Sequence, residues 1–161
     1  VKVDLKSFRQ KFYSDYVRGE LKPVLDTINA IRSKGTWLEI VYLVIPSLND
    51  SQEEITDLSR WITDTIGPDV PLHFSRFQPM YLLKNLPPTP IKTLENCREI
   101  ALRQGIHYVY IGNVPGHAAE NTICPDCGKI LIERYAYSIQ KNEINKGKCR
   151  FCGCPQPGTW D

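Results

Sequence analysis

The sequence predicts an α/β fold: half of a (β/α) barrel with parallel strands, followed by a small C-terminal zinc ribbon. Apolar strand segments alternate with amphipathic helix segments over the first part of the chain, which favours right-handed crossovers and a parallel sheet. Two Cys-x-x-Cys-Gly turns follow, and all but one of the six cysteines lie in this tail. We therefore divide the chain into residues 1–119, the α/β part, and residues 120–161, the ribbon.

The first strand is predicted over residues 1–6, where apolar and charged side chains alternate. Ser7 is placed to cap a short amphipathic helix that ends at Gly19. A second helix, with Pro23 at its first position, carries one apolar stripe as far as Gly35.

The second strand is predicted over residues 37–45, an almost unbroken apolar run typical of a strand buried on both faces. Ser51 followed by Glu54 has capping-box spacing and predicts a helix that ends at Gly67. Residues 72–77 are the third strand.

A long, proline-bearing loop over residues 78–90 follows, and loops of this length in compact domains are usually functional or mobile. Thr93 is predicted to cap a helix that ends at Gly105, with Cys97 as a small core residue. The fourth strand is predicted over residues 106–111.

The loops after parallel strands meet at one edge, the carboxyl rim, whether the sheet is half a barrel or a small open sheet. Asp4 and Lys6 point to the same side of the first strand, since side chains repeat every second residue. They are placed to hold the ribose and carboxylate of a charged small molecule. An exposed ion pair explains the same spacing.

Other rim candidates are polar residues near the ends of later strands. Arg76 lies in an apolar strand, so we expect it to face a cavity, an acidic partner or a salt bridge, because a buried unpaired guanidinium is costly. His117 lies in a glycine-flanked loop and is a candidate ligand or substrate contact. His73 is expected to face the core or the helices.

The tail has the spacing of a tetrathiolate zinc site formed by Cys124, Cys127, Cys149 and Cys152. The alternative is two disulfides of a secreted domain, although nothing else in the chain indicates secretion. Cys154 is expected to be a spare thiol. Such a tail is too small to build its own core and would depend on the metal for its stability.

The remaining features narrow the classes of function. A net charge of +2 gives little drive toward nucleic acid or acidic lipid, and no run is long enough to span a membrane. A phosphate-binding glycine loop, a nucleophile elbow and a His-Glu-x-x-His motif are all absent from the sequence. The clustered cysteines favour a reducing compartment, so a cytoplasmic protein is expected. Because the chain begins at Val1 inside a predicted strand, we expect a piece of a longer protein.

Four segments together carry a resemblance: residues 3–6, 43–50, 74–79 and 108–116. Their order and spacing resemble the C-terminal half of radical-SAM enzymes related to the pyruvate formate-lyase activating enzyme. The likeness is greatest to the radical-SAM member found with AMMECR-like and Memo-like proteins, which ends in a similar Cys-Pro-x-Cys-Gly tail.

The resemblance implies that Asp4 and Lys6 contact S-adenosylmethionine. It also implies a 4Fe-4S cluster, held by the N-terminal half of the same polypeptide, that cleaves S-adenosylmethionine to a 5′-deoxyadenosyl radical. That radical takes hydrogen from a substrate, often a glycyl residue of a partner protein. Gln78 stands where some relatives carry His, and Asn113 is a further rim candidate. This chain alone is then expected to be inactive.

The competing hypothesis is a non-catalytic zinc-ribbon module that binds protein or nucleic acid. Acidic and basic side chains are nearly balanced in the tail, which gives little counterion-release drive and argues against nucleic acid as a partner. Tyr135 and Tyr137 are expected to pack within the hairpin rather than stack on bases.

Overall fold

Four parallel strands form the main sheet and lie side by side in chain order, β1-β2-β3-β4. This arrangement comes from a computed structural model that describes residues 1–160; Asp161, the end of the predicted tail, lies outside the described residues. The strands are β1 Lys2–Asp4, β2 Glu39–Val44, β3 Leu72–Arg76 and β4 Val109–Gly112. The helices between them are α1 Gln10–Phe12, α2 Leu21–Ser33, α3 Gln52–Trp61 and α4 Ile91–Arg103. The predicted parallel α/β part is confirmed.

Two helices continue into π-helical segments, α1 into Tyr13–Val17 and α3 into Ile62–Ile66. Gly67, at φ 103°, ends the second of these, as predicted, because a residue with a side chain is strained at that φ. Within the long loop after β3 lies a short 3₁₀ turn, Tyr81–Leu83.

The sheet has one covered face and one open face. Helices α2, α3 and α4 pack on the covered face, where Ile40, Tyr42 and Phe74 are completely buried. On β2, side chains alternate between buried and half-buried, so the prediction of a strand buried on both faces is wrong. Helices α2, α3 and α4 contribute their apolar side chains to the covered face, so Glu39 and Val41 on the other face stay partly exposed.

Side chains of the open face form rows across the strands, because paired residues of parallel strands point the same way. The middle row crosses all four strands. Beside it, toward the carboxyl rim, lies a row that ends in Gly112, where an added Cβ would come within 3.1 Å of the Ser75 hydroxyl. The middle row consists of Asp4, Val41, His73 and Tyr110.

Of the three predicted helix caps, one agrees with the structure and two differ, and α2 begins at Leu21 rather than at Pro23. Ser51 caps α3, since its hydroxyl accepts a hydrogen bond from the Glu54 N–H at 3.2 Å. Ser7 does not cap α1, because its hydroxyl is buried and donates to the Glu54 carboxylate instead. Thr93 does not cap α4, which begins two residues earlier, after Pro90. In both wrong cases a proline or a tertiary hydrogen bond fixes the helix start.

The ribbon has its own strands and its own small core. Its strands are β5 Thr122–Ile123, β6 Ile130–Tyr135, β7 Ser138–Asn142, β8 Ile144–Asn145 and β9 Lys148–Cys149, all paired antiparallel. Leu131, completely buried, packs with Cys124 and Cys149 in a cluster separate from the main core. Cys97 is also buried, but in the main core, and burial raises the pKa of its thiol to about 12, which makes it a poor nucleophile.

Across residues 1–160, none of the helices combines the length and the apolar character needed to cross a lipid bilayer.

Candidate functional site

The first rim pair lies where β1 ends. The Lys6 ammonium is 3.4 Å from the Asp4 carboxylate, and the two side chains are 42% and 61% exposed. An ion pair so exposed contributes less than about 1 kcal/mol to folding stability. Breaking this ion pair therefore costs little free energy, so both groups are free to bind a ligand instead.

Arg76 and Asn113 are joined to each other across the rim. The Asn113 side-chain amide donates to the Arg76 carbonyl oxygen at 3.2 Å. The Arg76 guanidinium donates to the Thr89 carbonyl oxygen at 2.9 Å, and within residues 1–160 it has no carboxylate partner. Within residues 1–160 a main-chain carbonyl at the end of the long loop takes the place of a salt bridge, and the role of Arg76 as a rim contact stays a prediction.

Thr89 fixes that end of the loop to the strands. Its buried hydroxyl donates to the Val44 carbonyl oxygen at 2.6 Å and accepts from the Phe77 N–H at 3.0 Å. The loop therefore starts and ends on the sheet, while Gln78 at its beginning is exposed at the rim.

His117 has a structural position. Its Nδ1 accepts a hydrogen bond from the Ala119 N–H at 3.0 Å and so caps the 3₁₀ turn Ala118–Glu120. Its Nε2 lies 3.5 Å from the Glu95 carboxylate on α4. Both ring nitrogens thus face groups of the protein itself, and the structure does not bring His117 together with Asp4 and Lys6.

A buried polar network holds the rim segments after β1 and β2 together. The Glu54 carboxylate, 3% exposed, accepts hydrogen bonds from the Ser7 hydroxyl, from the Phe8 N–H at 2.7 Å and from the Tyr42 hydroxyl at 2.7 Å. Burial and the adjacent Glu54 charge raise the pKa of Tyr42 far above its ordinary value, so this phenol stays a donor.

Asn49 extends the network to the backbone. Its side-chain amide donates to the carbonyl oxygens of Lys6 at 2.8 Å and of Leu43 at 2.9 Å, and its oxygen accepts from the Ile45 N–H at 2.6 Å. One buried side chain therefore fixes the position of Lys6 relative to the end of β2.

The open face carries a second cluster of polar side chains, nearer the amino ends of the strands. His73 Nε2 lies 2.9 Å from the Glu39 carboxylate, and the imidazole stacks on Tyr110 with centroids 4.9 Å apart. The hydrogen bond with His73, aided by Trp37 and Lys2 and opposed by burial, lowers the pKa of Glu39 to about 2. The ionised carboxylate can only accept, so Nε2 carries a proton, and in the neutral imidazole Nδ1 is the acceptor nitrogen.

The ribbon packs beside this group. The Tyr110 hydroxyl lies 2.9 Å from the Thr122 hydroxyl, and the Tyr108 hydroxyl donates to the Gln156 side chain at 3.0 Å. The guanidinium of Arg134, on β6, lies 5.8 Å from the Tyr110 ring centroid. A groove of about 520 Å³ remains between the open face and the hairpin β6–β7.

Sequence reasoning missed this group. It placed His73 in the core or against the helices, which is wrong, and treated Glu39 only as an interruption of an apolar run. The alternation of side chains along the strand does indicate that Glu39 lies on the open face, because it places Glu39 on the same face as Val41 and Leu43 and not with the buried Ile40. Arg134 gave no comparable signal, since its place depends on how the ribbon packs.

The four predicted cysteine ligands come together at one end of the ribbon. The sulfur atoms of Cys124, Cys127, Cys149 and Cys152 all lie within 4.8 Å of one another. Two of the separations are 3.7 and 3.8 Å. Four sulfurs at 2.3 Å around a tetrahedral zinc ion would be separated by about 3.8 Å, so the site fits such an ion.

The backbone of each Cys-x-x-Cys turn supports the sulfurs. Gly128 and Gly153 have φ of 70° and 77°, and their N–H groups each donate to the carbonyl oxygen of the first cysteine of the turn at 2.9 Å. Burial raises the pKa of Cys149, but N–H donors from Cys152 and Phe151, together with the neighbouring sulfurs, outweigh it and lower the pKa to about 7, while neighbouring sulfurs raise the pKa of Cys127 and Cys152. Such donors favour the thiolate, which is the form that binds metal.

Cys154 lies beside the four sulfurs but not among them. Its thiol donates to the Pro155 carbonyl oxygen at 3.3 Å and accepts from the Gln156 amide at 3.4 Å. The four-sulfur group leaves Cys154 outside it, and its role as a spare thiol stays a prediction.

Comparison with known proteins gives relatives in sequence and in fold. The chain is 42% identical over 153 residues to an uncharacterised protein of Methanocaldococcus jannaschii, a match that covers 94% of this chain and 46% of that protein. The chain thus spans about half the length of this curated relative. No family model matches.

Two solved structures share the fold. A domain of a pyruvate-formate lyase-activating enzyme from Bacteroides vulgatus superposes with a TM-score of 0.60 at 14% identity, over 70% of this chain and 66% of that one. A radical SAM methyltransferase from Sphaerobacter thermophilus superposes with a TM-score of 0.51 at 15% identity, over 80% of this chain and 37% of that one. At these identities the likeness concerns the fold.

Proposed function

We propose that this chain is the C-terminal part of a radical-SAM enzyme related to the pyruvate formate-lyase activating enzyme. One observation carries the proposal: a parallel sheet that shares its fold with two radical-SAM proteins has a carboxylate and an ammonium group at the end of β1. In this proposal residues 1–119 form half of a (β/α) barrel, whose interior is the open face, and the N-terminal half of the same polypeptide supplies the rest.

Asp4 and Lys6 are the residues that would hold S-adenosylmethionine. The Asp4 carboxylate would accept hydrogen bonds from ribose hydroxyls, and the Lys6 ammonium would pair with the methionine carboxylate. The buried Glu54–Asn49 network keeps Lys6 in place for this contact. S-adenosylmethionine and a 4Fe-4S cluster would together supply the radical chemistry, and the protein would orient them and exclude water. No Cys-x-x-x-Cys-x-x-Cys motif is present in the sequence, so the cluster would be held outside this chain.

A partner protein is proposed as the substrate, and the loop after β3 supports this. Met80, Tyr81 and Leu82 are 72%, 83% and 76% exposed, which places three large apolar side chains together near the rim. Consecutive exposed apolar side chains are typical of a surface that binds another macromolecule.

In the ribbon, Cys124, Cys127, Cys149 and Cys152 are proposed to bind zinc as four thiolates. The metal would hold the ribbon folded rather than take part in the reaction, since four protein ligands leave no open position on the ion. The protein is proposed to be cytoplasmic, where thiolates of this kind stay reduced.

The cofactor proposal predicts binding without turnover. After anaerobic reconstitution with iron and sulfide, the isolated chain should cleave no S-adenosylmethionine. Equilibrium dialysis should still detect weak binding, and the Asp4→Ala/Lys6→Ala double variant should weaken it by about tenfold, because two charge-assisted contacts are lost. The matched control is Lys11→Ala/Asp15→Ala, which removes an exposed ion pair of the same kind on the first helix. Turnover by the isolated chain, or equal affinity in the double variant and the control, contradicts the proposal.

A second candidate, the binding module, is favoured by the tip of the hairpin β6–β7. Tyr135 and Tyr137 are 61% and 102% exposed, so the prediction that both pack within the hairpin is wrong, since a two-stranded tip offers no second layer to cover them.

Base stacking at this tip is tested by titrating single-stranded RNA and DNA at increasing salt. We expect weak binding with a shallow salt slope, because acidic and basic side chains are nearly balanced in the tail. A steep slope that disappears in the Tyr135→Ala/Tyr137→Ala variant establishes the binding module instead.

A further inference from the structure

The groove between the open face and the ribbon lies away from the predicted S-adenosylmethionine contacts. Asp4 and His73 share a row of the sheet but are separated by β2, so about 10 Å of sheet lies between their strands. The groove volume of about 520 Å³ is that of a small-molecule site. Its polar lining comes from both parts of the chain: Lys2, Glu39, His73, Tyr110 and the rim residue Asn113 from the α/β part, Glu120, Arg134 and Tyr137 from the ribbon side.

Both carboxylates of the groove are already satisfied by the protein. Glu39 accepts from His73 at 2.9 Å and from the Trp37 indole at 3.1 Å, and Lys2 lies 3.8 Å away. Glu120 accepts from the Gly116 N–H at 2.9 Å and more weakly from a second main-chain N–H. Neither group therefore needs a cation from a ligand.

Of the two cations that line the groove, Lys2 lies 3.8 Å from Glu39, whereas Arg134 is in the opposite situation. Within residues 1–160, half-buried Arg134 forms no ion pair; its Nη1 donates to the Thr122 hydroxyl at 2.8 Å and to the Glu120 carbonyl oxygen at 3.2 Å. The hydrogen bonds of its side chain use Nη1, which leaves the other nitrogens of the guanidinium fork as donors. A guanidinium in this position is suited to a planar carboxylate.

His73 adds an acceptor to the lining of the same groove. In the neutral imidazole Nδ1 keeps its lone pair, since Nε2 faces the Glu39 carboxylate, and the ring stacks on Tyr110, whose centroid lies 5.8 Å from the Arg134 guanidinium. A ligand that places an anionic group at Arg134 can therefore present a hydroxyl or ammonium hydrogen to His73.

We propose that this groove binds a small organic acid that carries a hydroxyl or amino group next to its carboxylate. Arg134 binds the carboxylate, His73 Nδ1 accepts a hydrogen bond from the neighbouring hydroxyl or amino group, and Glu39 fixes the imidazole tautomer. The proposal concerns groups other than Asp4 and Lys6, so it does not depend on the proposed S-adenosylmethionine contacts.

The test is an NMR titration of the intact zinc-loaded chain, following the His73 imidazole and the Arg134 guanidinium, with L-lactate, L-alanine, propionate and L-lactamide. Lactate or alanine should give saturable shifts of both side chains. Propionate, which lacks the hydroxyl or amino group, and lactamide, which lacks the charge, should bind at least about tenfold more weakly.

Two variants separate the two contacts. His73→Phe keeps a ring on Tyr110 and should reduce lactate affinity to that of propionate while leaving propionate binding unchanged, which a merely structural role would not do. Arg134→Gln should abolish binding of both acids, and Lys34→Gln, an exposed site with the same charge change, should have no effect. Should Arg134→Gln fail to fold, the His73→Phe comparison still decides. Equal affinities for lactate, alanine and propionate, or no shifts up to about 50 mM, overturn the proposal.

Discussion

Cys152→Ser should remove the metal from the ribbon and unfold it. The serine hydroxyl is a poor ligand for zinc, and the site would keep three thiolates. Because metal binding and folding are coupled in such small domains, the variant forfeits much of a binding free energy of roughly 10–16 kcal/mol. We expect the zinc content, measured by atomic emission, to fall from about one ion per chain to nearly none. Amide resonances of β5 to β9 should collapse while those of β1 to β4 persist.

The matched control for this result is Cys154→Ser, an adjacent thiol that lies outside the group of four sulfurs. It should keep its full zinc content and its ribbon resonances. Loss of zinc in Cys154→Ser with retention in Cys152→Ser would mean that Cys154 is the fourth ligand. Retention in both variants would show that the four sulfurs do not form the metal site.

Glu54→Ala should destabilise the α/β part by about 3–5 kcal/mol, since it leaves buried donors of Ser7, Phe8 and Tyr42 without their acceptor. The loss of folding stability is large because water has little access to these donors and cannot replace the carboxylate. Chemical denaturation followed by the fluorescence of Trp61, which packs against the main core, gives the free energy of unfolding. A lower denaturation midpoint at an unchanged slope is the expected result.

Glu53→Ala is the control, because it removes a neighbouring carboxylate that is 85% exposed and 3.8 Å from Arg9. We expect a change below about 0.5 kcal/mol there. The destabilisation by Tyr42→Phe should fall between those of the two other variants, at about 1–2 kcal/mol, since the substitution removes one donor and keeps the ring. Equal stability of Glu54→Ala and Glu53→Ala would rule out the network as a source of rim stability.

The order of the main elements could be predicted from the sequence because each depends on local chemistry. The strand β2 is recognisable from its nearly continuous run of apolar residues. The helix α3 begins after Ser51, whose hydroxyl accepts a hydrogen bond from the Glu54 N–H in the first turn. The cysteine positions were equally predictable, since two tight turns with a glycine after each can place sulfurs in only a few ways.

What could not be predicted depends on packing between distant segments. Ser7 has the spacing of a helix cap, yet it binds Glu54, 47 positions away. Arg134 was counted only as one basic residue of the tail, although it lies over Tyr110 from another sheet. The glycine-flanked loop around His117 suggested a ligand or substrate contact, whereas its two ring nitrogens face the Ala119 N–H and the Glu95 carboxylate. In each case the deciding contact is long-range or depends on a loop conformation, which spacing alone does not reveal.

Arg134 belongs to the ribbon and His73 to the sheet, so in the two proposals above a zinc ion held by four distant sulfurs would control whether the small acid finds both of its contacts. The two binding equilibria would be thermodynamically linked, and occupancy of either site would then strengthen binding at the other by the same factor. Zinc starvation of a cell would lower the affinity for the proposed acid long before the larger α/β layer unfolded.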